Sequence, residues 1–165
     1  MNRREMNMSD TNSIILASEV EASKMALKNA PMIVKRDVAE GGMFASVNEP
    51  DDFKRKALTF NATQESHPMR ELIESGEAIK PKGVIVRVDQ LEAEDGTIDN
   101  VPCVIIIADD GTAYMSHSGM ILNSVAALIT TYGEDVSNWP DGIRLAVIEV
   151  ASNRGRRFHR LKIVF

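Results

Sequence analysis

From Gly83 to Leu91 the side chains alternate with period two: Val84, Val86 and Val88 on one side, Ile85, Arg87 and Asp89 on the other. That is the pattern of a strand. An acidic segment follows, with a hairpin signal at Asp95-Gly96. Val101–Ala108 is almost continuously apolar, which predicts a strand buried on both faces. Asp109-Asp110-Gly111 turns the chain into a short strand, Thr112–His117. The period then lengthens. Ile121, Val125, Leu128 and Tyr132 make one apolar stripe, predicting a helix over Gly119–Tyr132. Ser118 is placed as its N-cap and Gly133 just past its end. Strand patterning returns over Ile143–Ala151, breaks at Ser152-Asn153-Arg154-Gly155, and resumes over Arg157–Val164.

Upstream the signals are weaker. Ser18 and Glu21 fit a capping box opening a helix over Glu19–Asn29, with Pro31 beyond its end. Met32–Val38 and Lys56–Asn61 read as strands, and Asn48–Asp52 as a turn or linker. Pro68 opens a turn of helix within Ser66–Ser75. Residues 1–13 are polar and aperiodic and read as a mobile tail. From Gly83 onward the order is strand, strand, strand, helix, strand, strand, the element order of an OB-fold. The expected fold is mainly β with α: an OB-fold-like five-stranded barrel with a helix between strands 3 and 4, plus an N-terminal extension. The expected division is an extension over residues 1–50 and an OB-like single-strand-binding domain over residues 51–165.

Composition narrows the function. The chain has 165 residues, enough for one domain with an extension. No apolar run reaches the ~20 residues of a membrane span, and no apolar stretch follows Met1–Glu5, so neither a membrane partner nor a secretory leader is expected. A single cysteine, Cys103, excludes an internal disulfide and a cysteine-based zinc knuckle. Three scattered histidines, His67, His117 and His159, argue against a zinc enzyme.

The net charge of −5 at first counts against a polyanionic partner. Its distribution reverses that reading. Between Arg87 and Arg144 stand ten acids and no Lys or Arg, whereas after Asp141 come Arg144, Arg154, Arg156, Arg157, Arg160 and Lys162 against Glu149 alone. A smaller basic run lies at Lys54-Arg55-Lys56. An acidic protein can therefore carry a local cationic surface.

No catalytic constellation emerges. Asp109 and Asp110 could be metal-binding carboxylates, but Asp-Gly is first a turn signal. His117 stands between two serines with no nucleophile elbow and no acid placed to orient it. Cys103 reads as a small core residue, and no glycine motif cradles a phosphate. No catalysis, cofactor or metal is expected.

Binding chemistry is visible instead. On the last strand His159, Leu161, Ile163 and Phe165 share one face, suited to a core; Phe158, Arg160 and Lys162 share the other, joined by Arg156. Cations can follow a phosphate backbone while a ring stacks on an unpaired base. Arg154 stands at the hairpin tip, and Arg87, opposite the valine face of its strand, is expected to join the same groove. Phe60 reads as core rather than platform, Tyr114 is balanced between the two, and Trp139 reads as a lid over the barrel end.

Phe60-Asn61-Ala62, the Val84–Val88 alternation, the segment Ala108-Asp109-Asp110-Gly111-Thr112-Ala113-Tyr114-Met115-Ser116 and the basic turn Ser152–Arg156 together resemble the small single-stranded DNA-binding proteins of bacteriophages. The likeness is nearest to those of Bacillus phages with protein-primed replication, and covers about Leu58 to Val164. It implies an OB-like fold, sequence-independent coating and protection of single strands during DNA replication, action in the host cytoplasm, and no catalysis. By position it implicates Tyr114, Arg154, Arg156 and Phe158. The expected partners are single-stranded DNA, with RNA as an alternative ligand, replication proteins, and further copies of the chain. The rival readings are an accessory protein whose OB-like barrel holds another protein, and a metal-dependent nuclease using Asp109 and Asp110.

Overall fold

The long apolar strand is the centre of the molecule. The computed structural model describes Ile14–Ile15 and residues 17–165; the expected tail over residues 1–13 lies outside the described residues. In chain order the elements are β1 (Ile14–Ile15), α1 (Ala17–Lys28), α2 (Met32–Gly41), β2 (Met43–Val47), α3 (Asp52–Gln64), β3 (His67–Pro68) and α4 (Arg70–Ser75). Then follow β4 (Pro81–Ala93), β5 (Ile98–Ala108), β6 (Ala113–Ser116), α5 (Gly119–Tyr132), a 3-10 turn (Val136–Asn138), β7 (Arg144–Ala151) and β8 (Arg157–Val164).

β4 and β5 form a long antiparallel hairpin in which Ile85 faces Ile105 and Arg87 faces Cys103. Its turn uses Gly96 at φ 86°, where a Cβ would be strained. β6 adds antiparallel to β5, and β2 adds antiparallel to β4. Two-residue strands, β1 on β4 and β3 on β6, complete a six-stranded mixed sheet.

A sheet apolar on both faces needs two covers. On one face Val84, Val86, Val104 and Ile106 join Phe44, Ile121, Val125, Leu145, Val147 and Leu161 in the main core. On the other, Ile85, Cys103, Ile105 and Ile107 pack with Val47, Ala62 and Met115, and Leu58 closes the cluster. Leu58 and Ala62 belong to α3, which is that second cover.

This requirement corrects two expectations. Lys56–Asn61 is not a strand: it lies inside α3, whose N-terminus is capped by the Asp51 carboxylate accepting from the Lys54 amide at 2.9 Å. Met32–Val38 is also helical, within α2. Pro31 stands directly before that helix at φ −54°, an angle suited to helix entry. Val34 is buried in the main core from this helix, so packing outweighs the modest β preference of Ile33, Val34 and Val38. Ser18 lies inside the first turn of α1, not before it. The helix over Gly119–Tyr132 has the predicted bounds, and Ser118 Oγ accepts from the Ile121 amide.

The OB-like expectation is met in element order, not in closure. β7 and β8 form their own two-stranded sheet. An isolated bridge ties it to the rest, Ile79 and Leu145 exchanging backbone hydrogen bonds of 2.9 and 2.8 Å, and the Leu161 amide donates to Ser124 Oγ of α5 at 3.1 Å. The described residues thus form a mixed α/β fold with two sheets and no closed barrel. No helix of the described residues is long and apolar enough to cross a membrane.

The N-terminal elements share this core. β2 is hydrogen-bonded along β4, and Val20 of α1 packs with Leu91 and Val101. α1 crosses α5 so closely that a Cβ on Gly119 would lie 2.7 Å from the carbonyl carbon and oxygen of Ala22. At the next residue of α1, the buried Ser23 hydroxyl donates to the His117 carbonyl.

Candidate nucleic-acid interface

β7 and β8 are paired from Arg144–Val164 to Ala151–Arg157, so each face of the ribbon can be read directly. Leu145, Val147 and Leu161 are buried, and Ile163 packs half-buried beside them. The opposite face carries Ala146, Ile148 and Val150 from β7, beside Phe158, Arg160 and Lys162 from β8. Arg160 and Lys162 are exposed, and Phe158 is half-buried. No acid stands on this outer face. On the predicted core face of β8, Leu161 is buried and Ile163 packs against the core, but His159 is half-buried like Phe158, and Phe165, just past the strand, is fully exposed and is no core residue.

The hairpin tip turns at Gly155, φ 75°, and closes with the Ser152 amide donating to the Arg156 carbonyl at 2.7 Å. Arg154 and Arg156 are exposed there. Among the described residues Arg154, Arg156, Arg160 and Lys162 make no ion pair, whereas Arg157 pairs with Glu149 at 3.4 Å. At the root of the tip an open cleft of about 370 Å³ lies between β8, the start of α5 and the start of α1. Phe158 lines it with Arg70, Arg156, Arg157 and His159; Glu19 is its acid.

Two residues predicted for the same surface lie elsewhere. Arg87 belongs to the sheet face covered by α3, the opposite side from the ribbon, because its strand parity follows Ile85. Its Nη1 donates to the Thr63 carbonyl at 3.1 Å. Its Nε lies 2.9 Å from Asp89 Oδ1, but off the line of a hydrogen bond, so that contact is ionic. The expectation that Arg87 shares the groove is therefore corrected. Tyr114 is half-buried against the main core, its ring 5.9 Å from that of His67. Burial raises its hydroxyl pKa, and the charges of Glu77, Asp110 and Glu71 add to the rise. That acidic neighbourhood opposes a phosphate there.

The remaining candidates also find their places. Trp139 is buried in the main core, donating from Nε1 to the Gly133 carbonyl at 2.8 Å and standing 6.3 Å from the Tyr132 ring. Phe60 is not core: it is 64% exposed on α3, and Phe53 on the same helix is 80% exposed. A strand over Lys56–Asn61 contains Phe60 but not Phe53; the signal that puts both rings on one helix is Asp51 as its N-cap. Asp109-Asp110-Gly111 is a turn, with Asp110 Oδ1 accepting from the Thr112 amide at 2.9 Å and Gly111 at φ 90°.

A half-buried acid does orient His117, contrary to the sequence reading. Asp89, 28 residues away, accepts from His117 Nε2 at 2.8 Å. Burial pushes the Asp89 carboxyl upward, but the His117 hydrogen bond and the Arg87 charge outweigh it and hold the group below its ordinary value. Asp89, Cys103 and His117 bring one ligand atom each within 4.8 Å of one another. Arg87 already occupies the carboxylate, and burial pushes the Cys103 thiol strongly upward. Both effects oppose a cation. The cluster is a structural tie between β4, β5 and the entry to α5.

The ribbon carries the Phe158 ring, and its Arg144, Arg154, Arg156, Arg160 and Lys162 make no ion pair among the described residues, side chains of the kinds that can hold an extended polyanion with exposed bases. The sequence model of the phage single-stranded DNA-binding proteins of phi29 type matches residues 39–164. The chain belongs to that family, whose members bind single-stranded DNA in phage DNA replication. The match includes α3, the main sheet from β2 onward and the whole β7–β8 ribbon. No curated protein and no solved structure matches the chain.

Proposed function

We propose that the chain binds single-stranded DNA without sequence preference, protecting it during phage replication in the host cytoplasm, and that the outer face of the β7–β8 ribbon is its contact surface. The observation that carries this reading is the pairing of Phe158 with Arg160 and Lys162 on a face free of acids. Arg154 and Arg156 extend the cationic track to the tip. Phosphates follow the cations; a base stacks on Phe158, which any base can do because each has a π-face. Nothing in this scheme reads a base edge, so it supplies affinity without sequence information.

The strand–strand–strand–helix–strand–strand order supports an OB-like module whose last hairpin is splayed from the main sheet. Residues 51–165, the proposed single-strand-binding domain, carry every member of this surface, and the described part of residues 1–50 is an extension packed into its core. The role is binding, not catalysis. Replication proteins and further copies of the chain are its protein partners.

Titration with oligo-dT across a salt series tests the reading. Four phosphate contacts along the ribbon contribute about −3 to the slope of log affinity against log salt. Absence of binding at low salt refutes the proposal. Parallel titration with matched RNA decides between the two ligands.

A further inference from the structure

α3 carries a surface of the same chemistry on the other side of the molecule. Phe53 and Phe60 are 80% and 64% exposed. Seven residues apart on a helix, they stand on one stripe about 10 Å apart along the axis. Phenylalanine rings left this open are uncommon on a soluble monomer and mark contact surfaces. Lys56 lies between them on the same stripe, and Lys54 is exposed beside Phe53. The helix has three cations, Lys54, Arg55 and Lys56, against one acid, Asp52. Asp52 holds Arg55 at 2.6 Å and Lys56 at 3.2 Å, leaving Lys54 without an ion pair among the described residues. From Ala57 to Gln64 there is no charge. Next to Phe60 a shallow groove of about 280 Å³ opens between α3 and β2, lined by Ala45, Arg55, Lys56 and Thr59.

We infer that this stripe is a second stacking platform for single-stranded DNA, with Phe53 and Phe60 each taking a base and Lys54 and Lys56 meeting the intervening phosphates. The inference rests on the reading that the chain binds single-stranded DNA. The occupant is chosen by charge. A second copy packed ring to ring about a two-fold axis would bring Lys56 against Lys56, which is repulsive; a polyanion is attracted by the same side chains. The ring spacing of about 10 Å matches roughly three base steps of 3.4 Å, so a strand can place a base on each ring without distortion.

Because both rings are exposed, their replacement leaves the core intact. The double variant Phe53→Ala/Phe60→Ala is expected to melt like the wild type and to bind oligo-dT about ten-fold or more weakly, with an unchanged salt slope. Phe53→Leu/Phe60→Leu keeps apolar area but loses the π-face, and is expected to be weakened similarly. Phe60→Trp is expected to give an exposed indole whose fluorescence is quenched on adding oligo-dT. Wild-type affinity in both double variants, with no quenching of the indole introduced by Phe60→Trp, overturns the inference. So does a change of oligomeric state with unchanged DNA affinity, which makes the stripe a self-association face. In either case the ribbon reading stands, since Arg160→Ala probes it separately; failure of the wild type to bind DNA removes both.

Discussion

Phe158 and Arg160 stand two residues apart on β8, facing Val150 and Ile148 of β7 across the ribbon. Neither has a charged cross-strand partner on that face. On the proposed contact surface the pair separates the two components of single-strand affinity. Arg160→Ala is expected to weaken binding about equally for all sequences and to lower the salt slope by about one unit. Phe158→Ala is expected to lose affinity, about 1–3 kcal/mol, with almost no change in slope, because a ring releases no counterions. Oligo-dT and mixed-sequence titrations at several salt concentrations check both. A slope change for Phe158→Ala equal to that of Arg160→Ala rejects the division of roles.

The crossing of α1 over α5 is predicted to be intolerant at Gly119. Alanine is favoured over glycine inside a helix by about 1 kcal/mol. Here its Cβ would meet the Ala22 backbone at 2.7 Å, a contact that side-chain rotation cannot relieve. Gly119→Ala is expected to destabilise by about 1–3 kcal/mol and to lower the melting temperature. A melting temperature equal to or above wild type shows that the helices do not cross this tightly.

Asp89 makes the stability depend on acid pH. Its carboxyl is held below the ordinary value in the folded chain, so its contribution is fully present above the unfolded value of about 4. It is lost as pH falls through the lower folded value. Asp89→Asn removes this part of the acid-limb slope and leaves His117 Nε2 and Arg87 without their anionic partner. Denaturant unfolding between pH 3 and pH 7 measures the difference. Identical pH profiles for the two proteins exclude Asp89 as a contributor.

Cys103 is predicted to be silent in the native state. The thiol is fully buried, and burial, with the Asp89 charge, raises its pKa strongly, so thiolate is scarce. A disulfide-exchange reagent should therefore react only at the rate of opening, and rapidly in denaturant. Fast native labelling would place Cys103 at the surface and break the second core cluster.

The second half of the chain was legible because its elements declare themselves locally. The alternation at Val84–Val88, the Asp95-Gly96 turn, the stripe from Ile121 to Tyr132 and the basic hairpin each lie within a dozen residues. The outer face of β8 followed from parity alone. The helices over 32–41 and 52–64 did not follow, since short segments with β-branched or mixed side chains take the state that covers a neighbouring surface. That surface, the Ile85–Cys103–Ile105 face in the case of α3, exists only once β4 and β5 have paired.

By itself, then, the sequence determined the strand hairpins, the long helix and the cationic face of β8, because period two and period 3.6 are properties of consecutive residues. Tertiary structure decided what lies on which side of the sheet. It held Arg87 against Asp89 and Thr63 away from the ribbon, joined His117 to an acid 28 residues distant, and left Phe53 and Phe60 in solvent. It also kept the ribbon apart from the main sheet. Those outcomes depend on which surfaces meet, and no local pattern encodes contacts between residues remote in the chain.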